Sequence, residues 1–160
     1  GELPPSIRDY IGTDPDILRE RIRSAGIVGL GGALFPTSVK AQTESRLHTL
    51  IINAVECEPY ITCDDRLMRE QAADIIAGVN ILRTLIRPER TLIGVEDNKL
   101  EALAALQAAL AEHPQITLHS VPTRYPSGGE KQLIQVLTGQ SVPSQGLPLE
   151  IGVLCQNVAT

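Results

Sequence analysis

Apolar residues recur along the chain in two alternating patterns, short unbroken runs and longer stretches with a helical period. Leu47 to Ala54 carries Leu50, Ile51 and Ile52 with no polar residue between them, as in a strand buried on both faces. Thr91 to Val95 and Ile116 to Val121 are runs of the same kind, and Ile151 to Leu154 is a candidate for a fourth. Between them the spacing is helical. Ile17, Leu18, Ile22 and Ala25 form one stripe on a helix that starts at Thr13 to Asp16, with Pro15 in its first turn, and closes at Gly26. Met68, Ala72, Ile75, Ile76, Val79 and Leu82 predict one long helix from about Asp65 to Ile86, stopped by Pro88. Leu100 to Ala111 is a helix ending before Pro114. Leu133, Ile134 and Leu137 lie on the inner side of another, from roughly Gly129 to Thr138, closed by Gly139. Strands alternating with helices predict an α/β fold, a Rossmann-like parallel sheet flanked by helices, because each right-handed crossover needs a helix. Residues 1–12, with two adjacent prolines, read as an arm or linker, which leaves 13–160 as a single α/β domain.

Composition narrows the function. Fourteen Lys and Arg stand against 19 Asp and Glu, a net charge of −5, and aromatic residues make up 2%. That balance argues against a nucleic-acid binder, which presents a basic face and often stacking rings. With 42% hydrophobic residues and a mean hydropathy of +0.02, the chain is too apolar to be disordered. The richest apolar stretch, Ile75 to Ile86, is interrupted by Gly78, Asn80, Arg83 and Thr84, so no direct membrane span is expected. The first residues carry no basic start followed by an apolar core, so no signal peptide is expected. Cys57, Cys63 and Cys155 form no C-x-x-C pair and suit reduced thiols; no zinc or iron–sulfur cluster is expected on this chain. His48, His113 and His119 are far apart, and neither G-x-S-x-G nor H-E-x-x-H occurs, which leaves hydrolase chemistry without support.

Ligands of such sheets sit beyond the carboxyl ends of the strands, where glycine-rich loops let backbone N–H groups approach phosphate. Three segments qualify. Gly26 to Thr37 holds Gly26, Gly29, Gly31 and Gly32, with Lys40 beyond as a possible phosphate partner; Leu34 stands where a G-x-G-x-x-G motif has its third glycine. The bland reading is a helix C-cap, for which one glycine suffices. Asn53 to Tyr60, after the first strand, supplies an amide, two carboxylates and a thiol, or else an acidic solvated loop. Asp64, Asp65 and Arg66 read as the first turn of the long helix. Tyr125 to Lys131 places Gly128 and Gly129 at a helix start, either to expose N–H donors to an anion or as a plain turn.

Taken together and in this order, the glycine loop Gly29 to Lys40, the run NAVECEPYITCDDRLM (53–68), the run YPSGGEKQL within Tyr125 to Gly139, and Asn157 to Thr160 resemble the flavin- and NADH-binding subunit of respiratory complex I, in the form found in the RnfC subunits of ion-translocating Rnf complexes. The resemblance implies noncovalent FMN, NADH as substrate, hydride transfer between them, and electrons passing to iron–sulfur centres towards ferredoxin. It further implies 4Fe–4S clusters in parts of a longer protein, other subunits of a membrane complex as partners, and a peripheral place on the cytoplasmic face of the bacterial inner membrane. Carried over by position, Gly29, Gly31 and Gly32 line the nucleotide, Phe35 stacks near adenine and Lys40 meets phosphate. Asn53 and Glu56 face the flavin, Gly128, Gly129 and Glu130 lie along flavin and nicotinamide, and Asn157 binds the FMN phosphate side. No catalytic acid or base is implied. The complex I pattern has arginine at Leu30, aspartate at Val55 and glutamate at Gly129. A cobalamin-reducing flavoprotein with a similar domain, and a docking module that has lost the nucleotide, are the alternatives.

Overall fold

The computed structural model describes residues 7, 9–42 and 46–160. The first helix, α1 (Pro15–Ser24), starts as the sequence suggests: the Asp14 carboxylate accepts the Asp16 N–H at 2.8 Å, and Pro15 needs no donor there. A short helix not anticipated from sequence, α2 (Thr37–Lys40), follows the glycine loop. Strand β1 (Thr49–Ala54) leads into α3 (Cys63–Glu70) and α4 (Ala72–Ile86). β2 (Arg90–Glu96), α5 (Leu100–Ala109), β3 (Ile116–Val121), α6 (Glu130–Thr138), a 3-10 turn (Pro148–Ile151) and β4 (Val153–Asn157) complete the order.

Two expected elements differ. The single helix over 65–86 is broken at Gln71, whose φ of −130° and ψ of 30° leave the helical region. The apolar period passes over the break unaltered, because Met68 on α3 and Ile75 and Ile76 on α4 are buried in the same core. The last strand begins later and runs further than Ile151 to Leu154. Gly152, at φ +69°, ends the 3-10 turn where only glycine fits, since a Cβ would lie 2.5 Å from the His48 ring, and pairing starts at the next residue, Val153. Of the arm expected over 1–12, residues 1–6 and 8 lie outside the described residues. Ile7 and Tyr10 pack against Leu18, Ile22, Ala41 and Leu85.

All four strands are parallel, in the order β3-β2-β1-β4, with Ile51 opposite Leu92 and Cys155. Leu50, Ile52 and Ala54 of β1 face a core with α3, α4 and α5, while Ile51 and Val55 face α6 through Leu133 and Ile134. This double burial is why β1 reads as an apolar run without alternation. From β1 the chain moves outward through β2 to β3, then crosses by way of α6 to β4 on the other side of β1. The order therefore reverses between β1 and β4, and a crevice opens over the carboxyl ends of these two strands, where ligands of such sheets bind.

Candidate functional site

The three candidate segments meet in that crevice. The glycine loop is closed at its base: the Gly29 N–H donates to the Phe35 carbonyl at 2.8 Å, the Thr37 N–H to the Ile27 carbonyl at 3.0 Å, and Val28 bridges Pro36. Gly32 takes φ +96°, a conformation side chains rarely adopt. Gly31 lies against the end of β4, where an added Cβ would be 3.3 Å from the Asn157 Cβ.

On the other side, the odd positions of β1 face α6, and this turns Asn53 towards the start of that helix. Its Nδ2 donates to the Gly128 carbonyl at 2.8 Å, and its Oδ1 accepts the Val55 N–H at 3.1 Å. Gly128 has no room for a side chain: a Cβ would stand 2.5 Å from the Val55 carbonyl oxygen and 2.9 Å from the Cys57 Sγ. Gly129 precedes α6 without any side-chain cap, so the N–H groups of the first turn have no partner from a capping side chain and carry the positive end of the helix dipole.

The resulting cleft has a volume of about 380 Å³, within the roughly 300–1,000 Å³ typical of small-molecule sites. Gly29, Gly31, Phe35, Lys40, Asn53, Gly128, Gly129, Glu130 and Asn157 all line it. Two residues expected at the nucleotide do not. Gly32 stands off at the tip of its loop, and Glu56 is buried and turned away. The Glu56 carboxylate accepts the Asp64 N–H at 2.9 Å and the Asp65 N–H at 3.2 Å, with Lys99 Nζ at 3.8 Å, so it caps α3 from a distance in sequence. Lys40 reaches the cleft already engaged, donating to the Cys155 carbonyl at 2.9 Å and to Glu130 Oε1 at 3.1 Å. The pair ties the glycine loop to the first turn of α6 and holds the Glu130 carboxylate at the cleft.

Sequence reasoning missed Gln156, which also lines the cleft. It is buried, its amide nitrogen reaches Thr37 Oγ1 at 3.4 Å, and its Oε1 has no hydrogen-bond partner among the described residues. Its place next to Asn157 is the signal that could have found it. Cys155 lies beneath the cleft, where burial first, and the Glu130 charge second, push its thiol up to about 12. Glu56, Cys63 and Asp64 bring three ligand-type atoms within 4.8 Å, but both Glu56 oxygens already accept backbone N–H groups, so the cluster is a helix cap.

A parallel sheet with a cleft at its switch point, glycines pressed against the strand ends and a helix start without a cap define a nucleotide-binding α/β domain. The chain belongs to the Nuo51 FMN-binding domain family, whose model matches residues 22–160. It is 56% identical over 154 residues to the RnfC-type subunit of the ion-translocating oxidoreductase complex of Pseudomonas aeruginosa, covering 95% of this chain and 20% of that protein. The protein of the same description from Edwardsiella ictaluri is 56% identical over 161 residues (100% and 20%), and that from Yersinia pestis 57% over 153 (95% and 25%). The chain thus spans a fifth to a quarter of the length of these relatives, which bear out the likeness to RnfC subunits. Among solved structures, the NAD+-reducing NiFe-hydrogenase in its air-oxidized state superposes with a TM-score of 0.76 at 25% identity, covering 91% of this chain and 29% of that one. Its H2-reduced state gives 0.76 at 24% identity, with 92% and 29% covered.

Proposed function

We propose that this chain is the FMN-binding, NADH-oxidising domain of a longer subunit of an ion-translocating electron transport complex. The observation that carries the reading is the convergence on one switch-point cleft of the glycine loop, the paired strand ends Asn53 and Asn157, and the α6 start without a cap. The residues fit a flavin nucleotide. Gly31 and Gly128 let the glycine loop and the α6 start pack directly on Asn157 and the Val55 carbonyl, the α6 N–H groups suit a phosphate or a ring carbonyl, and the buried Gln156 Oε1, without a partner among the described residues, is an acceptor of the kind a bound N–H or hydroxyl satisfies.

When bound, FMN supplies the redox chemistry, accepting a hydride from the nicotinamide and releasing electrons one at a time. The chain binds and orients. Gly29 and Gly31 admit the nucleotide backbone, Phe35, half-exposed at the mouth, offers a face for adenine, and Asn157 holds the phosphate side of FMN. Glu130, fixed by Lys40, accepts a hydrogen bond from the NADH ribose or carboxamide. Iron–sulfur centres elsewhere in the longer protein take the electrons on towards ferredoxin. The domain sits peripherally at the cytoplasmic face of the bacterial inner membrane, held by other subunits; among the described residues no helix is long and apolar enough to cross a membrane.

Titration of the folded chain with FMN tests the reading: flavin fluorescence is quenched on binding, and the melting temperature rises, by the equivalent of about 2.7 kcal/mol at a hundredfold excess over Kd. Absence of quenching by a folded chain well above micromolar flavin refutes it. With FMN bound, Glu130→Gln leaves flavin content near wild type and weakens apparent NADH affinity, at a cost of about 1 kcal/mol. Loss of flavin with NADH affinity intact would place Glu130 at the flavin instead.

A further inference from the structure

Asp64 stands in the first turn of α3, where a carboxylate needs no special explanation. It has a second partner, however, from the far end of the chain. Its Oδ2 accepts a hydrogen bond from Asn157 Nδ2 at 2.9 Å, across 93 positions of sequence. At its other end the Asn157 amide is held as firmly, with Oδ1 accepting the Ala159 N–H at 2.9 Å. We propose that Asp64 is a positioning residue for the anionic end of the flavin nucleotide, locking the Asn157 amide so that its second Nδ2 proton is presented to the ligand in the cleft. The inference rests on the flavin reading above.

An asparagine NH2 group has two protons, and Asp64 takes one, which leaves one for a ligand at the cleft that Asn157 lines. A flipped amide would set its oxygen against the Asp64 carboxylate and its NH2 against the Ala159 N–H, two repulsive contacts in place of two hydrogen bonds, so a single orientation survives. Gly31 lies 3.3 Å, at its missing Cβ, from the Asn157 Cβ, so the same clamp also supports one wall of the glycine loop. Asp64 is in turn placed by Glu56, which accepts its backbone N–H at 2.9 Å. This gives the buried Glu56 an indirect part in the site although it does not touch the cleft. Burial pushes the Asp64 carboxyl above its ordinary range and the Asn157 hydrogen bond pulls it back, as expected of a carboxylate tolerated for what it holds.

The test uses Asp64→Ala, Asp64→Asn, Asn157→Ala and the Asp64→Ala/Asn157→Ala double variant, checked for fold by circular dichroism and titrated with FMN. Asp64→Ser, which retains a helix-start hydroxyl but is too short to reach Asn157, replaces Asp64→Ala if the alanine variant fails to fold. Asp64→Ala weakens FMN binding about tenfold, Asp64→Asn stays within about threefold because its amide oxygen still accepts, and Asp64→Ala adds nothing once Asn157 is alanine. In the flavin-free chain, the NMR signals of the Asn157 side-chain amide, shifted and slow to exchange in the wild type, lose both properties in Asp64→Ala. Wild-type affinity in Asp64→Ala, additive losses in the double variant, or an unaltered Asn157 amide each overturns this inference while leaving the flavin reading intact. A folded wild-type chain that binds no FMN overturns both.

Discussion

At the scale of single residues, a carboxylate or thiol in a motif acquires its role from its neighbours. Glu56 lies in the middle of the Asn53 to Tyr60 segment, where its residue type suggested a ligand contact, yet two backbone N–H groups of α3 occupy it. The cysteines divide in the same way. Cys155 is buried and its thiol is pushed up to about 12, Cys63 is exposed but raised first by its hydrogen bond to Glu56, and Cys57 lines the cleft. Thiol labelling of the native chain near neutral pH therefore reaches Cys57 and, more slowly, Cys63, while Cys155 reacts only after unfolding; mass spectrometry of peptides would show it, and bound FMN should slow Cys57 alone. The glycines separate by experiment as well. Gly128→Ala forces a Cβ onto a backbone carbonyl and destabilises the fold by about 1–3 kcal/mol, each kcal/mol lowering the melting temperature by roughly 2–4 °C. At Gly31 the atoms nearest an added Cβ belong to the flexible Asn157 side chain, so Gly31→Val should abolish flavin binding with the fold retained, whereas Gly32→Val, at φ +96°, adds about 1–3 kcal/mol of backbone strain. Melting curves and FMN titrations of the three variants distinguish these outcomes.

At the scale of elements, the close seat of α6 on the sheet decides where the helix start lies. Gly94 on β2 allows it: a Cβ there would be 3.1 Å from Leu133 Cδ1 and 3.2 Å from Leu137 Cδ1. Gly94→Ala pushes α6 outward, costs about 1–3 kcal/mol by thermal melting, and weakens FMN binding because Gly128 to Glu130 move with the helix. The carboxyl ends of β2 and β3 are joined by Asp97, whose carboxylate accepts the Thr123 hydroxyl at 2.7 Å and its N–H at 3.1 Å, holding the Asp97 carboxyl below its usual range. A depressed carboxyl contributes stability above its unfolded value, near 3.8, and loses it as the pH falls through the lower folded value. Asp97→Asn should therefore flatten the dependence of urea stability on pH below about 4. Strand and helix order was legible because burial on both faces and helical period leave distinct traces. The break at Gln71 was not, since the apolar stripe continues across it, and neither was α2, whose four residues are too few to show a period.

At the scale of the whole molecule, an excess of five acidic charges coexists with a cleft suited to an anionic nucleotide, because the donors that matter are backbone N–H groups and amides placed by the fold rather than net charge. Local patterns by themselves determined the α/β class, the strand runs, the helix ends marked by Pro15, Pro88 and Gly139, and the three candidate segments, two of them glycine-bearing, since each shows in neighbours a few positions apart. The tertiary structure alone decided the strand order β3-β2-β1-β4 and with it the switch point where those segments meet. It also decided the partners brought across long stretches of chain: Lys40 with Glu130, Asn53 with the Gly128 carbonyl, and Asp64 with Asn157. The physical reason is that a hydrogen bond between residues 75 to 93 positions apart leaves no periodic trace in sequence. Only the packed sheet, by setting β4 beside β1 and α6 across their ends, brings such groups within 3 Å or so of one another.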